Sequence, residues 1–187
     1  MKLLNFFVVK FRIWKYQLLS DCAIIIGKPN LFHPLLIKGE GKISFGKNVQ
    51  IGVIASPNYF SHYCYLETRN KESEIFIDDN VSINNAFSAV AFSKITIQKN
   101  VLIGINCSII DNDGHELAIT KRHIGEPKSA TVSIEENVFI GDNVTILKGV
   151  TIGRNSVIGH SSVVTKNIPE NVVAAGNPAR VIRDLQP

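Results

Sequence analysis

Three cysteines, Cys22, Cys64 and Cys107, are too few and too scattered for a disulfide framework, and they form no CxxC metal pair. Such sparse thiols fit a reducing compartment. Charge is also scarce. Only 19% of residues are charged and the net excess is +4. That mild basic balance suits a phosphate-bearing ligand or an anionic surface, and it is far from a nucleic-acid-binding profile. No apolar run approaches the ~18 residues of a membrane span. The apolar N-terminus is broken by Lys10, Arg12 and Lys15 and lacks a small-residue cleavage site after a clean apolar stretch. It therefore does not read as a signal peptide, and a cytoplasmic location is expected. Disorder is excluded by the 45% hydrophobic content. A chain of 187 residues fits one domain with a real core.

What the chain has is a repeat. From residue 134 it reads IEENVF, IGDNVT, ILKGVT, IGRNSV, IGHSSV, VTKNIP. Every sixth position is aliphatic: Ile134, Ile140, Ile146, Ile152, Ile158 and Val164. Four residues further on stand Val138, Val144, Val150, Ser156, Ser162 and Ile168. The same register runs through Phe45 and Ile51, Ile77 and Ile83, and Ile97, Ile103 and Ile109. A period of six gathers apolar residues on no single face of a helix, and the β-branched bias favours strands. A third column follows each aliphatic by three: Asn48, Asn80, Asn100, Asn106, Asn112, Asn137, Asn143, Gly149, Asn155 and Asn167. Asn and Gly tolerate φ > 0. A left-handed corner every six residues predicts short flat strands joined by tight bends. Three such sides close a triangular coil of about eighteen residues, and coils stack ~4.8 Å apart. The expected fold is all-β, a prism of parallel β-helix with the aliphatic columns inside. The spacing does not choose its hand, and general crossover rules favour right-handed connections.

Function in a solenoid sits where the repeat breaks. Residues 57–74 replace clean hexads, with Tyr63 to Thr68 still readable as a strand. Near Phe92–Lys94 two extra residues shift the register before Ile95. The largest break, a loop over 113–131, is polar and holds His115 and His123; a loop that long in a compact repeat is usually functional. Pro169 and Pro178 end the repeat. The expected organisation is an N-terminal cap segment over 1–42, the β-helix over 43–168, and a capping tail over 169–187. The aromatic and basic stretch LLNFFVVKFRIWKYQLL could lie on a membrane. The favoured alternative is a short helix or strand packed over the first coil.

The run VSIEENVFIGDNVTILKGVTIGRNSVIGHSSVVTKNIPENVVAAGNPARVIR, with DNDGHEL upstream, resembles the acetyl-CoA-dependent sugar O-acetyltransferases. These include the galactoside and maltose enzymes and those of O-antigen and capsule (polysaccharide) biosynthesis. The match is specific from about Ile75 to Arg183. The resemblance implies a left-handed parallel β-helix and a homotrimer, with each active site between neighbouring prisms and acetyl-CoA along the groove. It implies no metal and no nucleic-acid partner. It makes His115 the general base, which suits the chemistry: a neutral imidazole can take the proton of a sugar hydroxyl attacking a thioester. Asp111, Asp113, Glu116 or a backbone carbonyl could orient that ring. Asn84 matches an acceptor-contacting asparagine, with Asn85 one residue away. An acceptor-binding aspartate of the galactoside enzymes falls near Phe92. For acetyl-CoA the resemblance implies main-chain contacts at Asp142 and His160, a groove wall at Phe139, and phosphate and nucleotide contacts from Thr165, Lys166, Arg180 and Arg183. Phe139 stands where the family usually has Trp, and His160 where it usually has Ala.

Three other readings compete. Acetylation of a small acceptor, serine or an antibiotic, uses the same chemistry, but serine acetyltransferases carry a longer helical N-terminal region. A zinc enzyme of the γ-carbonic-anhydrase type needs a third histidine at a matching hexad position, and none is there. A purely structural solenoid explains neither DNDGH nor GNPAR. Cys107 occupies an inward slot, so it reads as a core thiol, and transfer is expected to be direct.

Overall fold

The chain turns where its backbone is left-handed. In the computed structural model, which describes residues 2–186 and side chains from residue 7 onward, positive φ occurs at Asn48, Asn80, Asn100, Asn106, Asn137, Asn143, Gly149 and Asn155. These are corners the period predicted. Asn112 and Asn167 depart from the column. Asn112 accepts the Gly114 N–H and Asn167 accepts the Thr151 N–H, so both use their amide oxygens to hold irregular backbone. Ala86 and Ser161 turn left-handed in equivalent slots without an asparagine. The corner asparagines also stack. Asn48 donates to Asn80 and Asn80 to Asn100, each at 3.2 Å, while Asn137 donates to Asn155 at 3.0 Å and Asn155 to Asn171 at 2.7 Å.

Between corners run three parallel sheets, the faces of a left-handed parallel β-helix. The first face runs from Ile24–Ile26 to Thr151–Ile152, the second from Asn30–Leu31 to Ala179–Asp184, and the third from Leu35–Gly39 to Val163–Val164. The aliphatic columns lie in register. Ile43, Ile75, Ile95 and Val132 stack on the first face, and Ile51, Ile83, Ile103, Ile140 and Ile158 on the second. All are buried, and each contributes about 1.5–3 kcal/mol by leaving water.

The solenoid starts earlier than residue 43. Ile24–Ile26 pairs with Lys42–Phe45, Asn30–Leu31 with Gln50–Ile51, and Leu35–Gly39 with Cys64–Thr68. This first coil is hidden in the sequence because its corners are Gly27 and Gly39 rather than asparagine. Gly39 is required: a methyl there would lie 1.9 Å from the Thr68 carbonyl oxygen. The expected register shift is present. Ile77 and Ile97 are partners twenty residues apart, against eighteen for Ile134 and Ile152. The fully buried Asp111 carboxylate accommodates the extra residues by accepting the N–H groups of Phe92 and Ser93, both at 2.7 Å.

The capping tail forms two strands. Val172–Gly176 continues the second face, and Ala179–Asp184 folds back on it antiparallel. Two inward serines hold this hairpin. Ser156 donates to the Pro169 carbonyl and accepts the Val172 N–H, and Ser162 accepts the Gly176 N–H.

At the other end the helix α1 (Lys2–Leu18) packs on the side of the prism with Val9 and Ile13 buried. Tyr16 stacks on Tyr63 with centroids 4.6 Å apart, and Arg12 donates to the carbonyls of Tyr59 and His62. Near this junction His33 is fully buried. Burial first, and then the neighbouring Arg12 charge, lower its pKa from 6.5 to about 4, while the Tyr59 carbonyl offsets only part of this. The folded chain therefore holds His33 neutral where the unfolded chain would protonate it. Stability from this site is complete above pH 6.5 and is lost as pH falls toward 4. In chemical denaturation, the stability of wild type relative to His33→Leu should fall by at most about 3 kcal/mol between neutral pH and the folded pKa. A difference that does not change with pH would refute the buried neutral imidazole.

Candidate active site

The long loop leaves the exit edge of the third face through a closed neck. The Ala130 N–H donates to the Asp111 carbonyl at 2.8 Å and the Asp113 N–H to the Lys128 carbonyl at 3.1 Å, while Asn112 bridges Ser129 antiparallel. Gly114 then turns with φ +74, and His115 projects into solvent just outside the neck. No side-chain hydrogen bond to His115 exists among the described residues. The three carboxylates near it in sequence are engaged elsewhere. Asp111 caps Phe92 and Ser93, Asp113 pairs with Lys148 at 2.5 Å, and Glu116 accepts the Ala118 N–H. Each is therefore a structural group of the neck or loop within this protomer.

Beside His115 a cleft of about 640 Å³ runs along the outer surface of the third face. Its floor is Val90, Ile110 and Leu147, outward positions that on a solvated sheet would be polar. Thr165 continues that row, and the rim includes Asp113, Gly114 and Lys148. At one end Phe92 carries the Arg69 guanidinium 5.3 Å from its ring centroid, and Arg69 is bound in turn by Glu67. Phe92 was legible as the start of the register shift and as a place where the galactoside enzymes carry an aspartate. Arg69 and the apolar row were missed. An outward Val, Ile and Leu at successive rungs was the available signal.

The other predicted residues gather at a different corner, the exit of the second face. Asn84, Asp142 and His160 follow the register partners Ile83, Ile140 and Ile158. The structure separates the two asparagines. Asn85 is fully buried, accepts the Val53 N–H, and donates to the carbonyls of Val53 and Pro57, so it anchors the 53–57 turn. Asn84 is partly exposed and donates to Ser56 Oγ at 3.1 Å. Asp142 accepts the Ile105 N–H, and its other oxygen lies 3.7 Å from His160 Nδ1. Phe139 is 47% exposed on the same face, a bare aromatic wall. Arg180 and Arg183 extend this surface on the last hairpin strand. Their guanidinium hydrogen bonds go only to the carbonyls of Ala179 and Asp184. Among the described residues neither of them, nor Lys166, has a carboxylate partner.

The residues singled out from the sequence therefore fall into two groups. His115, Thr165 and Lys166 lie at the exit of the third face. Asn84, Phe139, Asp142, His160, Arg180 and Arg183 belong to the second face. The prism separates His115 from Asn84. Among the described residues no three His, Cys, Asp or Glu side chains cluster as a metal site would require.

The chain is similar to known acetyltransferases in sequence and fold. The bacterial transferase hexapeptide (six repeats) family matches residues 131–166. The galactoside O-acetyltransferase of Escherichia coli is 43% identical over 132 residues, covering 71% of this chain and 60% of that protein. WbbJ of Escherichia coli, provisionally named a lipopolysaccharide biosynthesis O-acetyl transferase, is 34% identical, covering 80% of this chain and 76% of that one. The crystal structure of a hexapeptide-repeat acetyltransferase from Vibrio cholerae, complexed with acetyl coenzyme A, superposes with a TM-score of 0.63 at 31% identity, over 76% of this chain and 70% of that one. The chain spans less than two thirds of the galactoside enzyme's length.

Cys107 lies inside the prism beneath the second-face corner, 2% exposed, with Sγ donating to the Gly141 carbonyl at 3.0 Å. Burial pushes its thiol up to about 11, so the thiolate is scarce at neutral pH. In the native protein Cys107 should resist iodoacetamide at pH 7.5 and react fully once unfolded, as peptide mass spectrometry would record. Rapid native labelling would overturn its assignment as a core thiol.

Proposed function

The chain belongs to the hexapeptide-repeat acetyltransferases, and from that premise we propose that it transfers an acetyl group from acetyl-CoA to a sugar hydroxyl in polysaccharide assembly. The observation that carries the reading is the exposed His115 imidazole, held just outside a closed neck and beside an apolar cleft. In this reading one imidazole nitrogen takes the hydroxyl proton as the oxygen attacks the thioester carbonyl. The tetrahedral intermediate collapses, the carbon–sulfur bond breaks, and the imidazolium returns its proton to the departing CoA sulfur. Transfer is direct, since no thiolate is at hand to carry the acetyl group. The acidic nucleotide end of CoA would meet Lys166, Arg180 and Arg183, cations without carboxylate partners, which are suited to phosphate. Asp142 and His160 would present main-chain groups to the pantetheine arm, with Phe139 as its wall.

The division into two corners supports a homotrimer in which the third-face exit of one prism meets the second-face exit of the next. Each neighbour would then supply what the other lacks: His115 and the cleft from one, Asn84 and the Phe139 wall from the other.

With labelled acetyl-CoA and a screen of nucleotide sugars and free glycans, His115→Ala should lower kcat by ~10²–10⁴ and leave CoA affinity nearly unchanged, because the base acts only as the hydroxyl proton leaves. Arg180→Ala should instead raise KM for acetyl-CoA. Mixing His115→Ala and Asn84→Ala protein under subunit exchange should restore activity that neither variant has alone. Near wild-type turnover by His115→Ala would sink the general-base assignment, and failure of the mixture to recover would sink the shared site.

A further inference from the structure

The helix α1 (Lys2–Leu18) has two apolar faces, and the prism uses one of them. Val9 and Ile13 are buried and Tyr16 stacks on Tyr63. On the opposite side Phe7, Phe11, Trp14 and Leu18 are spaced i, i+4, i+7 and i+11, which at ~100° per residue forms one narrow stripe. All four are exposed: Phe7 is 60% exposed, Phe11 63%, Trp14 55% and Leu18 65%. The same arithmetic sets Lys10 along one flank of the stripe and Lys15 along the other. The helix sequence, KLLNFFVVKFRIWKYQL, contains no carboxylate. Beside Trp14 a groove of about 520 Å³ opens between α1 and the 28–32 segment, with Lys10 on one wall and Lys28 on the other.

We propose that α1 is an interfacial helix that lays the Phe7, Phe11, Trp14 and Leu18 stripe into the surface of an anionic membrane, with Lys10, Lys15 and Lys28 against lipid phosphates. Aromatic residues between flanking lysines are the composition of a helix lying in a headgroup plane. Among the described residues no helix is long and apolar enough to cross a membrane, so the contact is with the surface. Charge selects the lipid over a second copy of the chain. Two α1 stripes packed together would bring lysine flanks against lysine flanks with no acid to offset them, whereas anionic headgroups complement both flanks at once. The helix is also joined to the corner that carries Asn84. Arg12 holds the carbonyls of Tyr59 and His62, and Ser56 of the same loop accepts from Asn84.

Trp14 is the chain's one tryptophan, so its fluorescence reports this contact alone. With vesicles of equal parts phosphatidylglycerol and phosphatidylcholine, the full chain should cosediment. Trp14 emission should shift to the blue and be quenched by lipids brominated on the acyl chain. Phe7→Ser with Phe11→Ser, both exposed and so compatible with an unchanged circular-dichroism melt, should weaken partitioning roughly tenfold or more. Lys10→Glu with Lys15→Glu should remove the preference for phosphatidylglycerol. Three results would overturn the proposal: no cosedimentation with either lipid, equal partitioning into pure phosphatidylcholine, or a blue shift that follows protein concentration without vesicles, which would make the stripe an interface between copies. The assay reads lipid binding only, so its failure leaves acetyl transfer untouched.

Discussion

The corner is the constraint on which the prism depends. Each coil must bend three times while its backbone lies at strand spacing, ~4.8 Å, from the coils on either side. That demands a left-handed residue and leaves little room beside it. Asparagine meets both needs: it enters the left-handed region at modest cost, and its side chain stacks on the next corner amide, as along Asn48, Asn80 and Asn100. With the corners set, strand phase follows, and every sixth residue points inward. The interior then fills with Ile and Val, so chemistry can reside only on outward positions, at corners, or where the repeat is broken.

Each break leaves main-chain groups that the stacked sheets cannot pair, and such groups do not stay buried unmatched. The molecule answers in the same way each time, with a buried polar side chain at the edge of the irregular segment. Asp111 takes the amides of the two inserted residues. Asn85 takes the 53–57 turn through its amide and carbonyl groups. Ser156 and Ser162 take the terminal hairpin from inside the coil. The residues assigned to function stand near these anchors: Asn84 beside Asn85, His115 shortly after Asp111, and Arg180 on the strand held by the hairpin. A rigid anchor next to an irregular segment allows a side chain to be aimed without disturbing the core.

Most of this architecture was legible because period six is a covalent regularity that tertiary context has no reason to override. The inward columns, the register shift near Phe92, and the left-handed corners at Asn48, Asn80, Asn100, Asn106, Asn137, Asn143, Gly149 and Asn155 could be read from spacing. The first coil could not, because Gly27 and Gly39 replace asparagine and its strands carry no clean hexad. Asn112 shows the opposite failure. It fits the column, yet its side chain closes the loop neck, a choice that depends on a partner at Gly114 and not on its own identity. The candidate site was legible as a set of residues and not as an arrangement. Nothing in a linear spacing tells that His115 and Asn84 leave different edges of the prism, because that depends on which sheet each hexad enters. Nor does spacing tell that Asn85 is buried under the 53–57 turn while Asn84 is partly exposed.

A solenoid has two ends, and each exposes edges and interior unless something covers them. The C-terminal end is closed by a hairpin whose last strand, ARVIRD, interleaves the exposed Val181 and Ile182 with the charges of Arg180, Arg183 and Asp184. The N-terminal end is different. Ile24, Ile25 and Ile26 of the first strand are 50%, 46% and 52% exposed, and α1 adds a second exposed apolar stripe. A helix recruited only to cap the prism would bury one face and keep the other polar. This one buries Val9 and Ile13 and still presents Phe, Phe, Trp and Leu to the outside, between lysines. The asymmetry between the two ends is thus one of chemistry as well as shape, and it follows from a helix whose sequence is apolar on both sides and basic along the seams.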